Sequence, residues 1–266
     1  MIYKILGLAV LLLALFPGSM QLRFWKRLAD LRWAYRAERF SLTPPPMPEE
    51  ASQRKLLVIG SSVAWGKGSD VEFGPKYPRK GWTQMLAKEL ETVGFEMDNQ
   101  AIPGTTSKFW NRVAQRTNAS QLAPYEMVLL GLSLGNEGLA LVSANVQMDT
   151  MRDDYLEALH SASKELRKKM PAKSKLVLGG PYPNGNYNER HLQVLEEVHM
   201  EMKTWKEVDY VIDFLQPVLH SGEGTWGKGL MMDPGHPNQL GHEAMFKCVD
   251  MPELLRILEA DNPEAE

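Results

Sequence analysis

The chain has 266 residues, 44% hydrophobic and 24% charged, with 30 Lys+Arg against 33 Asp+Glu and a formal net charge of −3. That balance fits a folded globular domain; it excludes a disordered tail, a collagen-like repeat, a multi-span membrane protein and a strongly basic nucleic-acid binder. The lone Cys248 can form neither an internal disulfide nor a cysteine zinc site, and reads as a small buried thiol.

Charge is uneven along the chain. Residues 1–40 carry seven basic residues against Asp30 and Glu38, a net of +5 that leaves −8 for the remainder. Ile5 to Phe16 is an unbroken apolar run behind Lys4. Residues 1–22 therefore read as a membrane anchor or a signal peptide, although Pro17-Gly18-Ser19-Met20 lacks an A-x-A cleavage pattern. Residues 23–42 form a basic amphipathic segment: Phe24, Leu28, Leu31 and Tyr35 recur at helical spacing, with six Lys/Arg across positions 23–39. Two readings fit it, a helix lying on a membrane surface and a helix packed on the main domain. Pro44-Pro45-Pro46 and Pro48 make 43–53 an extended linker.

The body spans 54–260, followed by a tail at 261–266. Leu56-Leu57-Val58-Ile59, ended by Gly60, reads as a buried parallel strand. Helical periodicity over Trp82–Val93 is stopped by Gly94; Phe95–Ile102 reads as a second strand and Lys108–Thr117 as a helix. Met127–Leu130 reads as a strand, Val146–Met170 as a long helix, Lys175–Leu178 as a strand and Glu189–Trp205 as a helix. Val208–Phe214 contains a strand, and Gln239–Val249 and Pro252–Leu258 read as helices. This alternation predicts one α/β domain with a parallel sheet, whose ligands bind beyond the carboxyl ends of the strands.

The loops at those strand ends carry the chemistry. Gly60-Ser61-Ser62-Val63-Ala64-Trp65-Gly66 follows the first strand, Asn99–Thr106 the second and Gly131–Glu137 the third; Asp233-Pro234-Gly235-His236-Pro237-Asn238 and Gly241-His242 come near the end. A serine hydroxyl needs a base to become a nucleophile, and His236, oriented by Asp233 three residues earlier, can serve. A tetrahedral intermediate needs donors aimed at its oxyanion, and the N–H groups of Ser62 and Gly104 with the Asn136 side-chain amide can supply three. In this order the blocks resemble those of the SGNH, or GDSL, hydrolase family, over about Leu56 to Phe246.

The resemblance implies a three-layer α/β/α sandwich with a mainly parallel central sheet, the flavodoxin-like fold of SGNH hydrolases. It also implies Ser62 as nucleophile, His236 and Asp233 as its base and orienter, and Ser62, Gly104 and Asn136 as the oxyanion hole. Gly60-Ser61-Ser62 stands where the family usually reads Gly-Asp-Ser, and Asn136-Glu137 where it usually reads Asn-Asp. The implied activity is carboxylic ester hydrolysis through an acyl-enzyme, with esterase, lipase, deacetylase and thioesterase chemistry all represented in the family. An O-acyltransferase on the same fold and a non-catalytic carbohydrate- or lipid-binding module are the alternatives. The expected partners are a small ester, lipid or acylated sugar and, through the N-terminus, a membrane; no nucleic acid, metal or organic cofactor is expected.

Trp65, Tyr182, Asn184 and Trp226 lie in or beside loops that could line a substrate pocket. Competing motifs fail on spacing: Gly60 and Gly66 are separated by five residues and not the four of a P-loop, and His242-Glu243-Ala244-Met245 is followed by Phe246, not His. An α/β-hydrolase elbow would need glycine at Ala64. His160, His191, His199 and His220 show no ligand spacing. Asn118-Ala119-Ser120 is a glycosylation sequon, meaningful only in a glycosylating compartment.

All four blocks follow the linker, so the sequence predicts that a chain beginning near Ala51 is soluble and active. The expected location is membrane-associated, with the basic flank on the cytoplasmic side, or secreted or periplasmic if the apolar segment is cleaved. The full-length chain should sediment with membranes and resist high-salt extraction, because the apolar run outweighs the screened electrostatic part. N-terminal sequencing of the membrane fraction checks this: an intact Met1 supports an anchor, and a start near residue 20 overturns it.

Overall fold

The computed structural model describes residues 31–32, 34–44, 54–71, 77, 79–215, 218–219 and 224–260. The apolar run, residues 23–30 and most of the proline linker lie outside them. Among the described residues, no helix is long and apolar enough to cross a membrane.

Five parallel strands form the central sheet: β1 (Arg54–Gly60), β2 (Phe95–Asn99), β3 (Met127–Gly131), β4 (Lys175–Gly179) and β5 (Tyr210–Ile212), in the order β2-β1-β3-β4-β5. Strand alternation sends side chains to two separate cores. Leu57 and Ile59 of β1, Val128 and Leu130 of β3 and Leu176 and Leu178 of β4 join one, while Leu56, Val58, Leu129 and Val177 join the other. The first core is covered by α3 (Ser107–Arg116), α5 (Asn145–Lys169) and α6 (Glu189–Met202). The second is covered by α2 (Trp82–Leu90), α7 (Gln239–Lys247) and α8 (Met251–Glu259). Two short helices, α1 (Ser62–Trp65) and α4 (Ala119–Leu122), complete the set. The expected α/β/α layering is thus present, because fully apolar strands need cover on both faces.

Helix starts follow local chemistry. Thr106 caps α3, Asn188 closes a capping box on α6, Asn238 caps α7, and Asp250 caps α8 with Pro252 in its first turn. Asn118 of the sequon closes a capping box on α4. Cys248 is half-buried, its thiol donating to the Ala244 carbonyl at 3.2 Å and pushed up by burial to about 12.

Several elements end a few residues before the sequence expectation: α2 at Leu90, α6 at Met202 and α7 at Lys247. Strand β2 ends at Asn99, not Ile102, because the Asn99 side chain turns back to accept the Ala101 N–H at 3.0 Å. A ribbon that periodicity did not reveal, β6 (Met231–Asp233) and β7 (His236–Pro237), is antiparallel and pairs Asp233 with His236 across Pro234-Gly235. Such short strands carry too few residues to register a period.

The N-terminal segment joins the body earlier than the linker implies. Residues 34–39 are helical; Ala37 and Leu42 are buried in the first core, and Phe40 packs against Phe109 and Trp110 at centroid distances of 6.0 and 5.8 Å. Arg116 donates to the Ala37 carbonyl, Gln121 donates to the Leu42 carbonyl, and Gln100 exchanges two hydrogen bonds with the Thr43 backbone. For residues 34–42 the packed helix is therefore the reading that holds, while Leu31 and Tyr35 stay exposed. A chain beginning at Ala51 lacks these contacts of Phe40 with Phe109 and Trp110. Such a chain should melt roughly 5–15 °C below one beginning before residue 31, the cost of stripping one or two large side chains from a core. Paired thermal melts check this; equal melting temperatures would show that the segment contributes nothing.

Candidate active site

The strand order reverses between β1 and β3: the chain leaves β1 for β2 on one side and passes to β3, β4 and β5 on the other. Crevices at such a switch point, beyond the carboxyl ends of the strands, are where open α/β sheets bind ligands. Ser62 follows β1 and Asn136 follows β3, so two of the sequence-derived candidates flank that crevice. Close approach of the two strand ends depends on glycine. Gly60 has φ +143°, and a Cβ there would stand 2.1 Å from the Gly131 carbonyl oxygen.

Ser62 opens α1, where its N–H has no intrahelical acceptor. Its Oγ lies 2.9 Å from His236 Nε2. His236 Nδ1 lies 2.7 and 2.9 Å from the two Asp233 oxygens. The β6–β7 ribbon makes this pair local: its Pro-Gly turn sets Asp233 opposite His236, and the Gly235 N–H donates to Asp233 Oδ1 at 2.9 Å. Partial burial raises the Asp233 carboxyl, but the hydrogen bond and charge of His236, the Gly235 N–H and the Lys67 charge outweigh it and hold the group below its ordinary value. Asp233 is thus kept ionised, and an ionised carboxylate holds Nδ1–H on its own side and leaves Nε2 free to accept from Ser62.

Ser61 is placed differently. It is 1% exposed, and its buried Oγ has no hydrogen-bond partner among the described residues. Of the two serines, Ser62 is the one bonded to a histidine.

Gly104 follows β2 with φ +83°, a backbone state that a side chain would strain. Asn136 is exposed, and its Nδ2 donates to the Thr105 carbonyl at 2.9 Å, which leaves the second amide proton for another acceptor. Ser62, Gly104 and Asn136 therefore come from the loops after β1, β2 and β3, three neighbouring strands.

The four pocket candidates divide. Trp65 is half-buried, with the Arg79 guanidinium 4.1 Å over its ring. Tyr182 is half-buried, and its N–H donates to Ser133 Oγ at 3.2 Å. Asn184 is buried: its Oδ1 accepts the Asn186 N–H, and its Nδ2 lies 3.8 Å from where a Cβ on either Gly135 or Gly235 would sit. Trp226 does not serve as an open wall. It is 4% exposed and donates its indole N–H to the Pro234 carbonyl at 3.2 Å, so it is a strut beneath the Asp233–His236 turn.

Two supports escaped sequence reasoning. The Ala64 carbonyl at the back of α1 accepts from both Asn99 and Thr83, tying the serine turn to β2 and α2. His242 joins the serine loop to α7: its Nε2 donates to the Lys67 carbonyl at 2.9 Å, and its Nδ1 accepts the Trp82 N–H at 3.3 Å. Its one signal in the sequence was a histidine on the buried face of a helix, four residues after the cap Asn238. Among the described residues, no group of three or more His, Cys, Asp or Glu side chains could hold a metal.

With this geometry in hand, comparison with known proteins is specific. The sequence matches the model of the GDSL-like lipase/acylhydrolase family over residues 58–244. The chain belongs to that family, a family of hydrolases. TesA has the same fold, with a TM-score of 0.57 at 23% identity over 77% of this chain and 100% of its own. The lipase Lip_vut3 from a goat rumen metagenome aligns with a TM-score of 0.55 at 13% identity, covering 77% of this chain and 97% of its own. The acetylxylan esterase Axe2 of Geobacillus stearothermophilus aligns at 0.52 and 19%, covering 78% and 94%. No curated protein matches the sequence.

His242 makes the fold acid-sensitive. Burial, with the His236 charge adding to it and the Lys67 carbonyl opposing it, lowers its pKa from 6.5 to about 4. Between those values the unfolded chain binds the proton more readily than the folded one. The stability gained from neutral His242 is therefore complete above about pH 6.5 and is lost as pH falls toward 4, at up to about 1.4 kcal/mol per pH unit. His191 and His199, both lowered by burial, act in the same direction. The melting temperature should fall between pH 7 and 4.5, and more shallowly in His242→Asn; parallel slopes would remove His242 from the explanation.

Proposed function

We propose that the protein is a serine esterase that cleaves carboxylic esters through an acyl-enzyme on Ser62. The observation that carries this reading is the continuous chain of hydrogen bonds from Ser62 Oγ through His236 to Asp233. In the first half-reaction Ser62 Oγ attacks the ester carbonyl carbon while His236 Nε2 takes its proton. The oxyanion forms against the N–H groups of Ser62 and Gly104 and the free amide proton of Asn136. The imidazolium, steadied by the Asp233 carboxylate, returns the proton to the departing alcohol. In the second half-reaction water gives its proton to His236, attacks the acyl-enzyme and releases the acid with Ser62 restored.

We propose small esters, acylated sugars and lipids as the substrate class; the acylhydrolase family and the likeness to the acetylxylan esterase Axe2 support it. Trp65, Tyr182 and Asn184 are the residues we assign to substrate contact. We also propose, on the apolar run Ile5–Phe16 and the basic stretch behind it, that the enzyme is held at a membrane by its N-terminus.

A screen of acetyl, butyryl and longer acyl esters tests the reaction. Ser62→Ala should abolish turnover with the fold intact, and Ser61→Ala should retain most of it; the reverse pattern would move the nucleophile to Ser61. Asn136→Ala should lower kcat by roughly 10²–10³ with a smaller change in KM, as for loss of one oxyanion donor. An effect on KM alone would assign Asn136 to substrate binding instead.

A further inference from the structure

Asn136 and Glu137 hold the neighbouring loop at two points. The Asn136 Nδ2 donates to the Thr105 carbonyl at 2.9 Å, and Glu137 Oε1 accepts the Ser107 N–H at 2.7 Å. The intervening Thr106 caps α3 by accepting from the Phe109 N–H. Thr105 and Ser107 are fully buried, and Thr105 Oγ1 bonds the Gly60 and Ile102 carbonyls. The Trp110 indole N–H points at the same Gly60 carbonyl and at Thr105 Oγ1. One hydrogen-bonded frame therefore runs from the end of β1 through the Gly104 loop to the end of β3.

We infer that Glu137 is a positioning residue: its carboxylate, docked on the N-terminus of α3, fixes the Gly104–Ser107 loop relative to Asn136 so that their donors converge on one oxyanion. Three observations make a purely local role insufficient. Asn136 is exposed, and its side-chain amide donates to the very loop that Glu137 holds. The Ser107 N–H is one of the orphan donors of the ten-residue α3, and a carboxylate is the acceptor best matched to that partial positive charge. Gly104 has a left-handed backbone and no side chain, so the orientation of its N–H depends on what anchors the residues after it. The residue matters for its length as well as its charge: aspartate, one methylene shorter, would have to give up either the Ser107 bond or the backbone position that places Asn136.

This inference rests on the acyl-enzyme reading, and the experiment separates the two. In the full-length protein, Glu137→Ala should lower kcat about 10–100-fold with KM changed less than about 2-fold, while Glu137→Gln, which keeps the acceptor oxygen, should stay within about 3-fold of the parent. In a double-mutant cycle, adding Glu137→Ala to Asn136→Ala should cost no more than about 3-fold further, because both act on one oxyanion site. Amide exchange over residues 103–109 should accelerate in Glu137→Ala and not in Glu137→Gln. Glu137→Asp replaces the alanine variant if that one fails to fold, with the same direction expected. An unchanged kcat, a loss confined to KM, full additivity with Asn136→Ala, or unchanged exchange would overturn the inference. A parent enzyme that hydrolyses no ester and is not labelled at Ser62 by a fluorophosphonate would overturn the esterase reading instead, and the exchange measurement would still decide whether Glu137 holds the loop.

Discussion

The hydrogen bond between Ser62 and His236 spans 174 positions of the chain, and the rest of the architecture is arranged so that its two ends meet within 2.9 Å. One end is fixed by the sheet, since Ser62 sits on the turn that leaves β1, the strand held between β2 and β3. The other end belongs to a two-stranded ribbon with little core of its own. It is held by Trp226 beneath its turn and by His242, whose ring donates to the Lys67 carbonyl of the serine loop and accepts the Trp82 N–H at the start of α2. Neutral, buried His242 is thus both a joint between the serine loop and helices α2 and α7 and a source of acid sensitivity, for the same reason: a charged imidazole has no place at that joint.

The proposed oxyanion side is built on a different logic. The donors come from three neighbouring strand ends, and none of the three lies on a long helix or inside a strand. Such donors are held by their neighbours: Gly60 allows the β1 and β3 ends to approach, Thr105 bonds back to the Gly60 carbonyl, and the Asn136-Glu137 pair clasps the loop between. A preorganised site of this kind stabilises developing charge because little reorganisation is left to do when the charge appears. Ser61 and Glu137, the two positions at which this chain departs from the family's usual pattern, both face inward. Ser61 is 1% exposed, and Glu137 turns toward α3, accepting the Ser107 N–H.

Much of this was legible in the residues. The apolar runs of β1, β3 and β4, the long helix after Val146 and the four loops with their candidate residues follow from periodicity and strand-end position, which are local properties of the chain. The reading was weakest where structure is made by few residues or by distant partners. The β6–β7 ribbon is too short to show a period. Residues 34–42 were legible as a basic helix, but whether that helix meets a membrane or a protein surface depends on Phe109, Trp110 and Arg116, far along the sequence. Trp226 offered a large aromatic ring in a loop, and only its 4% exposure shows that the ring supports the turn instead of facing substrate.

The sequence by itself determined the class of fold and the family, because both rest on residue type and spacing along the backbone, and its resemblance to the family pointed to Ser62, His236 and Asp233. Tertiary structure decided that Ser62, and not its neighbour Ser61, lies against the histidine, since neighbours in a turn point in different directions. It also decided that Glu137 reaches across to Ser107 and that His242 is a buried joint. Those facts depend on which loops the sheet order brings side by side, and no spacing within a single loop encodes them.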